Sequence, residues 1–157
     1  MNIRPATSAD ATGIARVHIQ AWRETYSRLV APGELDDLSE ERRAERWRRI
    51  IDDGGKVWIA DVADTIVGFA AVGGGDHDEK PRPLELGALY LLADHHGSGA
   101  GQALLDAAIA DAPAFLFVAD DNPRATRFYQ RNRFVFDGAS EQHPLVRTPI
   151  VSLRMVR

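Results

Sequence analysis

With 157 residues, 45% of them hydrophobic and 27% charged, the chain has the make-up of one globular domain, able to bury roughly two thirds of its unfolded surface. A net charge of -4 argues against a general nucleic-acid binder, which needs a basic face, and no stretch approaches the roughly 20 apolar residues of a membrane span. The absence of cysteine excludes disulfides and an acyl-cysteine intermediate.

The opening Met1-Asn2-Ile3-Arg4-Pro5 lacks a signal peptide's apolar core, so a cytoplasmic location is expected. Ile3 to Ala6 suits a short edge strand, with Thr7 or Ser8 capping the helical segment after it. Ile14, Val17, His18, Ala21, Trp22 and Thr25 recur at helical spacing and predict a first helix running to about Arg28. Pro32-Gly33 breaks the chain. Ser39, followed by Glu40 and Glu41, starts a second helix whose buried stripe is Ala44, Trp47, Ile50 and Ile51, ended by Asp53-Gly54-Gly55. Val57 to Val62 and Ile66 to Val72 read as strands joined at Ala63-Asp64-Thr65. Gly73 to Pro83, rich in glycine, charge and proline, reads as a mobile loop.

Leu86 to Ala93 is an apolar run that suits a strand buried on both faces. After a polar elbow, Asp94-His95-His96, the segment Gly97-Ser98-Gly99-Ala100-Gly101-Gln102 opens a helix carried by Ala103, Leu104, Ala107 and Ala108. Phe115 to Val118 is a strand that must run parallel to Leu86 to Leu92 if the helix between them is a right-handed crossover. Asn122 caps a helix beginning at Pro123. Phe134 to Phe136 and Ile150 to Val156 supply the last two strands, separated by a polar loop with Pro144 and Pro149. No linker or repeat divides the chain, so residues 1 to 157 form a single domain.

Glycines at the mouth of a helix let backbone N–H groups converge on one point at the positive end of the helix dipole, so this turn is built to hold an anion. A P-loop would end in Gly-Lys-Ser/Thr, and this turn ends in Gly-Gln-Ala. A dinucleotide fingerprint finds Gln102 or Leu104 in its last glycine slot, although Asp120 and Asp121 stand about 20 residues on, where a ribose carboxylate would sit. The run His96-Gly97-Ser98-Gly99-Ala100-Gly101 instead resembles the pyrophosphate loop Gln/Arg-x-x-Gly-x-Gly/Ala of the GNAT family of N-acetyltransferases, apart from its first residue. Asn122-Pro123-Arg124-Ala125-Thr126-Arg127-Phe128-Tyr129, with Phe134 after it, is similar to that family's Asn-x-x-Ala-x-x-Phe-Tyr block. The two motifs stand in the family's order, one helix and one strand apart.

The resemblance implies an α/β fold: a mixed, mostly antiparallel sheet of six to seven strands flanked by about four helices, with two parallel central strands splayed around the cofactor. It implies an acetyl-CoA-dependent N-acetyltransferase that moves an acetyl group directly to a primary amine of a small molecule or peptide. Neither nucleic acid nor membrane is an expected partner, and a homodimer is compatible with it. Cofactor contacts fall on Leu91, His96, Gly97, Ser98, Gly99, Ala100, Gly101, Gln102 and Asn122, and on Tyr129, which matches the family's general acid. A phenol is protonated at pH 7 and can donate to a departing thiolate; the same tyrosine also suits simple packing beside Phe128 and Ala125. His96 replaces the usual Gln or Arg with an uncharged imidazole. Arg124, Arg127, Arg131 and Arg133 are candidates for the cofactor's 3′-phosphate, or a solvated basic surface.

For the base, Phe117 and Val118 occupy positions where relatives carry a glutamate, which leaves Glu85 as the candidate, with Asp120 and Asp121 behind it. Trp22 and Tyr26, one helical turn apart, either wall an acceptor pocket or belong to the core. Glu34, Asp36, Asp37, Glu40 and Glu41 would favour a cationic acceptor if they faced it. His95 and His96 have no partner at ligand spacing, so no metal site is expected. The alternative to an enzyme is a non-catalytic acyl-CoA sensor on the same fold.

Overall fold

The computed structural model describes residues 1–157. Its elements come in the expected order: β1 (Asn2–Pro5), α1 (Ala11–Tyr26), α2 (Glu40–Asp52), β2 (Val57–Val62), β3 (Thr65–Val72), β4 (Leu84–Leu91), α3 (Ala100–Ile109), β5 (Ala114–Ala119), α4 (Pro123–Arg131), β6 (Val135–Pro144) and β7 (Pro149–Val156). Local chemistry sets their ends. Ser39 Oγ accepts from the Arg42 N–H at 3.2 Å to start α2, and Asn122 Oδ1 accepts from the Ala125 N–H at 3.2 Å to start α4, with Pro123 at its first position. Ala63 and Asp64, both at positive φ, make the two-residue turn between β2 and β3, a geometry whose twist matches that of a hairpin.

The strands form one sheet in the order β1-β2-β3-β4-β5-β7-β6. All neighbours are antiparallel except β4 and β5. That parallel ladder joins Leu84 to Ala114 and Glu85 to Phe115 and then stops, so the strands splay as expected. Two residues beyond the last rung, Gly87 lies close to the end of β3, and an added Cβ would fall onto the carbonyl oxygen of Gly73. The register between β3 and β4 shifts at the same level. Only glycine lets the β3 end and the loop after it lie this close to β4.

Each face of the sheet carries its own core. Helices α1 and α2 bury Ile14, Val17 and Trp47 against Ile59 and Phe69. Helix α3 and the end of α4 bury Leu104, Leu105 and Tyr129 against Leu116, Val118, Phe134 and Met155 on the other face. Each such side chain taken fully from water contributes about 1.5–3 kcal/mol, enough to fix which face every helix covers. No helix is long and apolar enough to cross a membrane.

Three expectations are corrected in detail. Helix α1 ends at Tyr26, short of Arg28. The polar stretch after Phe136 is not a loop: β6 runs on to Pro144, which pairs with Pro149. A bulge between Phe136 and Ser140, with Gly138 at φ 89, interrupts the register, and this edge strand is exposed along most of its length, so no apolar alternation marks it. Residues 73 to 83 have no regular structure but are pinned: the His77 ring bridges Glu85 at 2.8 Å and Glu141 at 2.5 Å and stacks on Phe117.

Replacing Gly87 by Ala is expected to lower unfolding free energy by about 1–3 kcal/mol or more, the usual cost of overpacking, as measured by urea denaturation. Ala at Gly54, where a Cβ meets nothing within 4 Å, carries only the cost of its positive φ and serves as the control.

Candidate active site

The parting of β4 and β5 opens a cavity of about 440 Å³. At one end stands the glycine turn. Gly97 and Gly99 adopt left-handed φ values of 78° and 88°, which tip the following N–H groups outward. The Ala100 N–H is taken by Ser98 Oγ at 3.3 Å, and the Ala103 N–H by the Gly99 carbonyl at 3.0 Å. The N–H groups of Gly97, Gly99, Gly101 and Gln102 meet no acceptor within the protein. Together with the dipole of α3 they form a cradle for an anion.

Along the cavity runs the free edge of β4. The Leu92 N–H bonds to Val67 on β3, so by the alternation of a strand the peptide groups of Leu91 and Leu89 turn toward the side that β5 has left. His96 stands between Leu91 and α4, its Nε2 3.0 Å from the Leu91 carbonyl and its ring in close contact with Arg124. Burial pushes the imidazole's pKa down, the Leu91 carbonyl opposes this, and the Arg124 guanidinium adds to the fall. Arg127 and Arg131 also line the cavity, whereas Arg133 points away to pair with Asp111.

Tyr129 closes the far side. Its ring packs edge-on against Phe128 and Phe134, yet its hydroxyl has no protein partner and is not sealed from the cavity it lines. Burial raises its pKa, and the nearby Tyr90 phenol raises it further, so it remains a proton donor across the neutral range. Tyr26 and Tyr90 line the same cavity, and burial raises both.

The expected residues do not all converge. Leu91, His96, Gly97, Gly99, Gly101, Gln102, Asn122, Tyr129 and Tyr26 line the cavity. Ser98 is turned to cap Ala100, and Ala100 is fully buried under the helix start. Trp22 lies behind Tyr26, its indole N–H buried without a partner and its ring under the Arg43 guanidinium at 4.6 Å. Glu85 is not in the lining: one oxygen is 2.8 Å from His77 Nε2 and the other accepts from the Gly75 N–H at 3.1 Å. The acidic cluster is also spent elsewhere. Glu34, 2% exposed, accepts from the Thr148 hydroxyl at 2.7 Å and from the N–H groups of Arg147 and Thr148, while Asp37 pairs with Arg147 and Glu40 with Arg16.

Tyr90 and His77 were not singled out from sequence. Tyr90 carries the one polar side chain in the apolar run Leu86 to Leu92, a signal that could have marked it. His77 sits in an irregular segment and meets Glu141 across 64 positions of sequence, which no local pattern could reveal.

Comparison with known proteins agrees with this geometry. A profile of the Acetyltransferase (GNAT) family matches residues 18–134. The uncharacterized N-acetyltransferase Rv2669 of Mycobacterium tuberculosis is 39% identical over 140 residues, covering 82% of this chain and 85% of its own. YuaI of Bacillus subtilis, also an uncharacterized N-acetyltransferase, is 30% identical over 137 residues, 83% of this chain and 78% of its own. The paia N-acetyltransferase of Thermoplasma acidophilum, solved in complex with coenzyme A, has a TM-score of 0.68 at 18% identity, covering 98% of this chain and 96% of that one. The chain belongs to the GNAT family. It is an N-acetyltransferase.

The Glu34 clamp makes a pH-dependent prediction. The Thr148 hydroxyl and the Arg147 N–H are the main causes that hold this carboxyl down at about 2, against about 4.3 when unfolded. A depressed carboxyl stabilises fully above its unfolded pKa and loses that contribution as pH falls toward its folded one. The difference in urea midpoint between the wild type and Glu34→Gln is therefore expected to be largest above pH 5 and to shrink steadily between about pH 4.3 and 2.

Proposed function

We propose that this acetyltransferase moves the acetyl group in one direct step from acetyl-CoA to a primary amine of a small molecule or a peptide. The observation that carries the reading is the placement, in one cavity, of unpaired N–H groups at Gly97 to Gln102 and an unsealed phenol at Tyr129. In this reading the glycine-turn amides hold the donor's diphosphate, with Arg124, Arg127 and Arg131 near enough to add charge. The free peptide group of Leu89 and the N–H of Leu91, whose carbonyl already meets His96 Nε2, pair with the amides of the donor's arm, as an added strand would at an open edge, and Asn122 borders the same slot.

Acetyl-CoA supplies the thioester. The remaining chemistry is orientation and proton handling by this chain. A bond forms between the amine nitrogen and the acyl carbon, the carbon–sulfur bond breaks, and the leaving sulfur takes a proton from the Tyr129 hydroxyl. An imidazole at His96 gives one N–H donor and no fixed charge, which supports donor binding with less electrostatic attraction than an arginine would bring. Glu85 already shares both oxygens with His77 and Gly75, which favours a positioning role over proton abstraction.

Two measurements test the reading. Saturating acetyl-CoA, at 100 times its dissociation constant, is expected to add about 2.7 kcal/mol of stability in a thermal-shift assay, with no comparable effect from NAD. Tyr129→Phe is expected to lower kcat for free-thiol release by about 10²–10⁴-fold while leaving KM for acetyl-CoA within a few-fold. A protein that only senses acyl-CoA would bind it equally well, release no thiol with any amine, and be indifferent to the substitution.

A further inference from the structure

The charge on the cavity wall is of one sign. Its charged lining is basic: His96 against Arg124 beside the glycine turn, with Arg127 and Arg131 further along α4. No aspartate or glutamate lines it. The remaining titratable groups are the phenols of Tyr26, Tyr90 and Tyr129, which lie near enough to perturb one another, and the ring of Phe117 faces them from β5.

Several carboxylates around the cavity are already engaged, and Asp120, exposed just past the end of β5, is not among the lining residues. Glu24 accepts from the Ala93 N–H at 2.8 Å beside the turn, and Asp121 pairs with Arg28 at 2.6 Å on the rim. Behind Phe117, Glu85 and Glu141 both hold His77. An ammonium brought into such a chamber loses its water and gains no counter-ion. The faces of tyrosine and phenylalanine attract a cation far less strongly than stripping its water costs. Nor does the lining hold a carboxylate to take the ammonium's extra proton before attack.

A neutral amine meets neither difficulty. Its nitrogen forms the new bond to the acyl carbon, and the proton that nitrogen then sheds replaces the one that Tyr129 gives to sulfur. Tyr26 and Tyr90 line the same cavity as Tyr129. Amine plus thioester become amide plus thiol with no proton exchanged with solvent.

We infer that this chamber takes its acceptor as the neutral amine and selects weakly basic primary amines carried on an apolar or aromatic body, discriminating against polycations. This rests on the direct-transfer reading above.

The test compares phenylalaninamide, phenethylamine and spermidine as acceptors, with free-thiol release from acetyl-CoA followed from pH 7 to 9. The first two share a benzyl body and differ in basicity, one resembling an α-amino group with a pKa of about 8, the other an alkylamine nearer 10.4, so at pH 7 the second has roughly 10²-fold fewer neutral molecules. At pH 7, kcat/KM is expected to favour phenylalaninamide over phenethylamine by about that factor. The phenethylamine value should rise about tenfold per pH unit, the phenylalaninamide value should flatten near pH 8, and spermidine should stay lowest throughout. Thr25→Glu, which puts a carboxylate on the α1 wall of the cavity, should narrow the gap between spermidine and phenylalaninamide.

Spermidine equal to or better than phenylalaninamide at pH 7, or a flat pH profile for phenethylamine, overturns the inference. So does no turnover of any of the three at pH 9 while acetyl-CoA still stabilises the protein. Loss of that stabilisation brings down the parent reading instead.

Discussion

Everything functional here depends on a parallel ladder that stops after its second residue pair. Had β4 and β5 stayed paired to their ends, the peptide groups of Leu89 and Leu91 would have been consumed in the sheet. The sheet divides instead into an antiparallel half, β1 to β4, and a second half, β5, β7 and β6, hinged at Glu85 and Phe115. Toward β3, the packing of β4 sets a sequence requirement at Gly87, because the Gly73 carbonyl occupies the space a side chain would need. The core under α3 joins the halves, since it packs Val67 and Leu86 of the first with Leu116 and Met155 of the second.

The glycine turn and the Asn122 cap were legible in the sequence because their chemistry is local. Positive φ at Gly97 and Gly99, and an amide oxygen three residues from the N–H it accepts, are properties of contiguous residues. Arg133, just past α4, holds φ 68, a left-handed conformation that glycine adopts without strain. What could not be read is what depends on distant pairing. The cavity role of Tyr90 needs Tyr26 and Tyr129 to arrive from other elements, and the part of β6 beyond Phe136 reads as a loop because it is mostly exposed and carries no apolar alternation. The acidic residues from Glu34 to Glu41 misled for the same reason: their partners, Arg147, Thr148 and Arg16, are unrelated to them in sequence.

Those distant pairs define the acceptor side. The segment after α1 and the turn between β6 and β7 are joined through Glu34 and Asp37 to Arg147 and Thr148, the end of α1 is joined to the start of α4 through Arg28 and Asp121, and residues 73 to 83 are fastened to β4 and β6 through His77. For His77, burial alone would lower the imidazole's pKa, but the carboxylates of Glu85 and Glu141 outweigh it and raise the net value. The charged latch is therefore complete below the ordinary histidine range and weakens as pH climbs through the raised value.

The arrangement separates charge along one axis of the molecule. Glu34, Asp37 and Asp121 hold loops together, where their charge is neutralised by partners, while Arg127 and Arg131 stand on the cavity wall without a carboxylate partner. An anionic donor is drawn to that wall and cancels its charge on binding, which leaves the phenols of Tyr26, Tyr90 and Tyr129 as the polar groups at the reacting end. Hydroxyls with raised pKa values in a confined space are poor at stabilising a full charge and good at exchanging protons between neutral groups. On the direct-transfer reading, the burial that keeps the Tyr129 phenol protonated would also set which protonation state of the acceptor can be used, so that donor and acceptor specificity would come from one wall of one wedge.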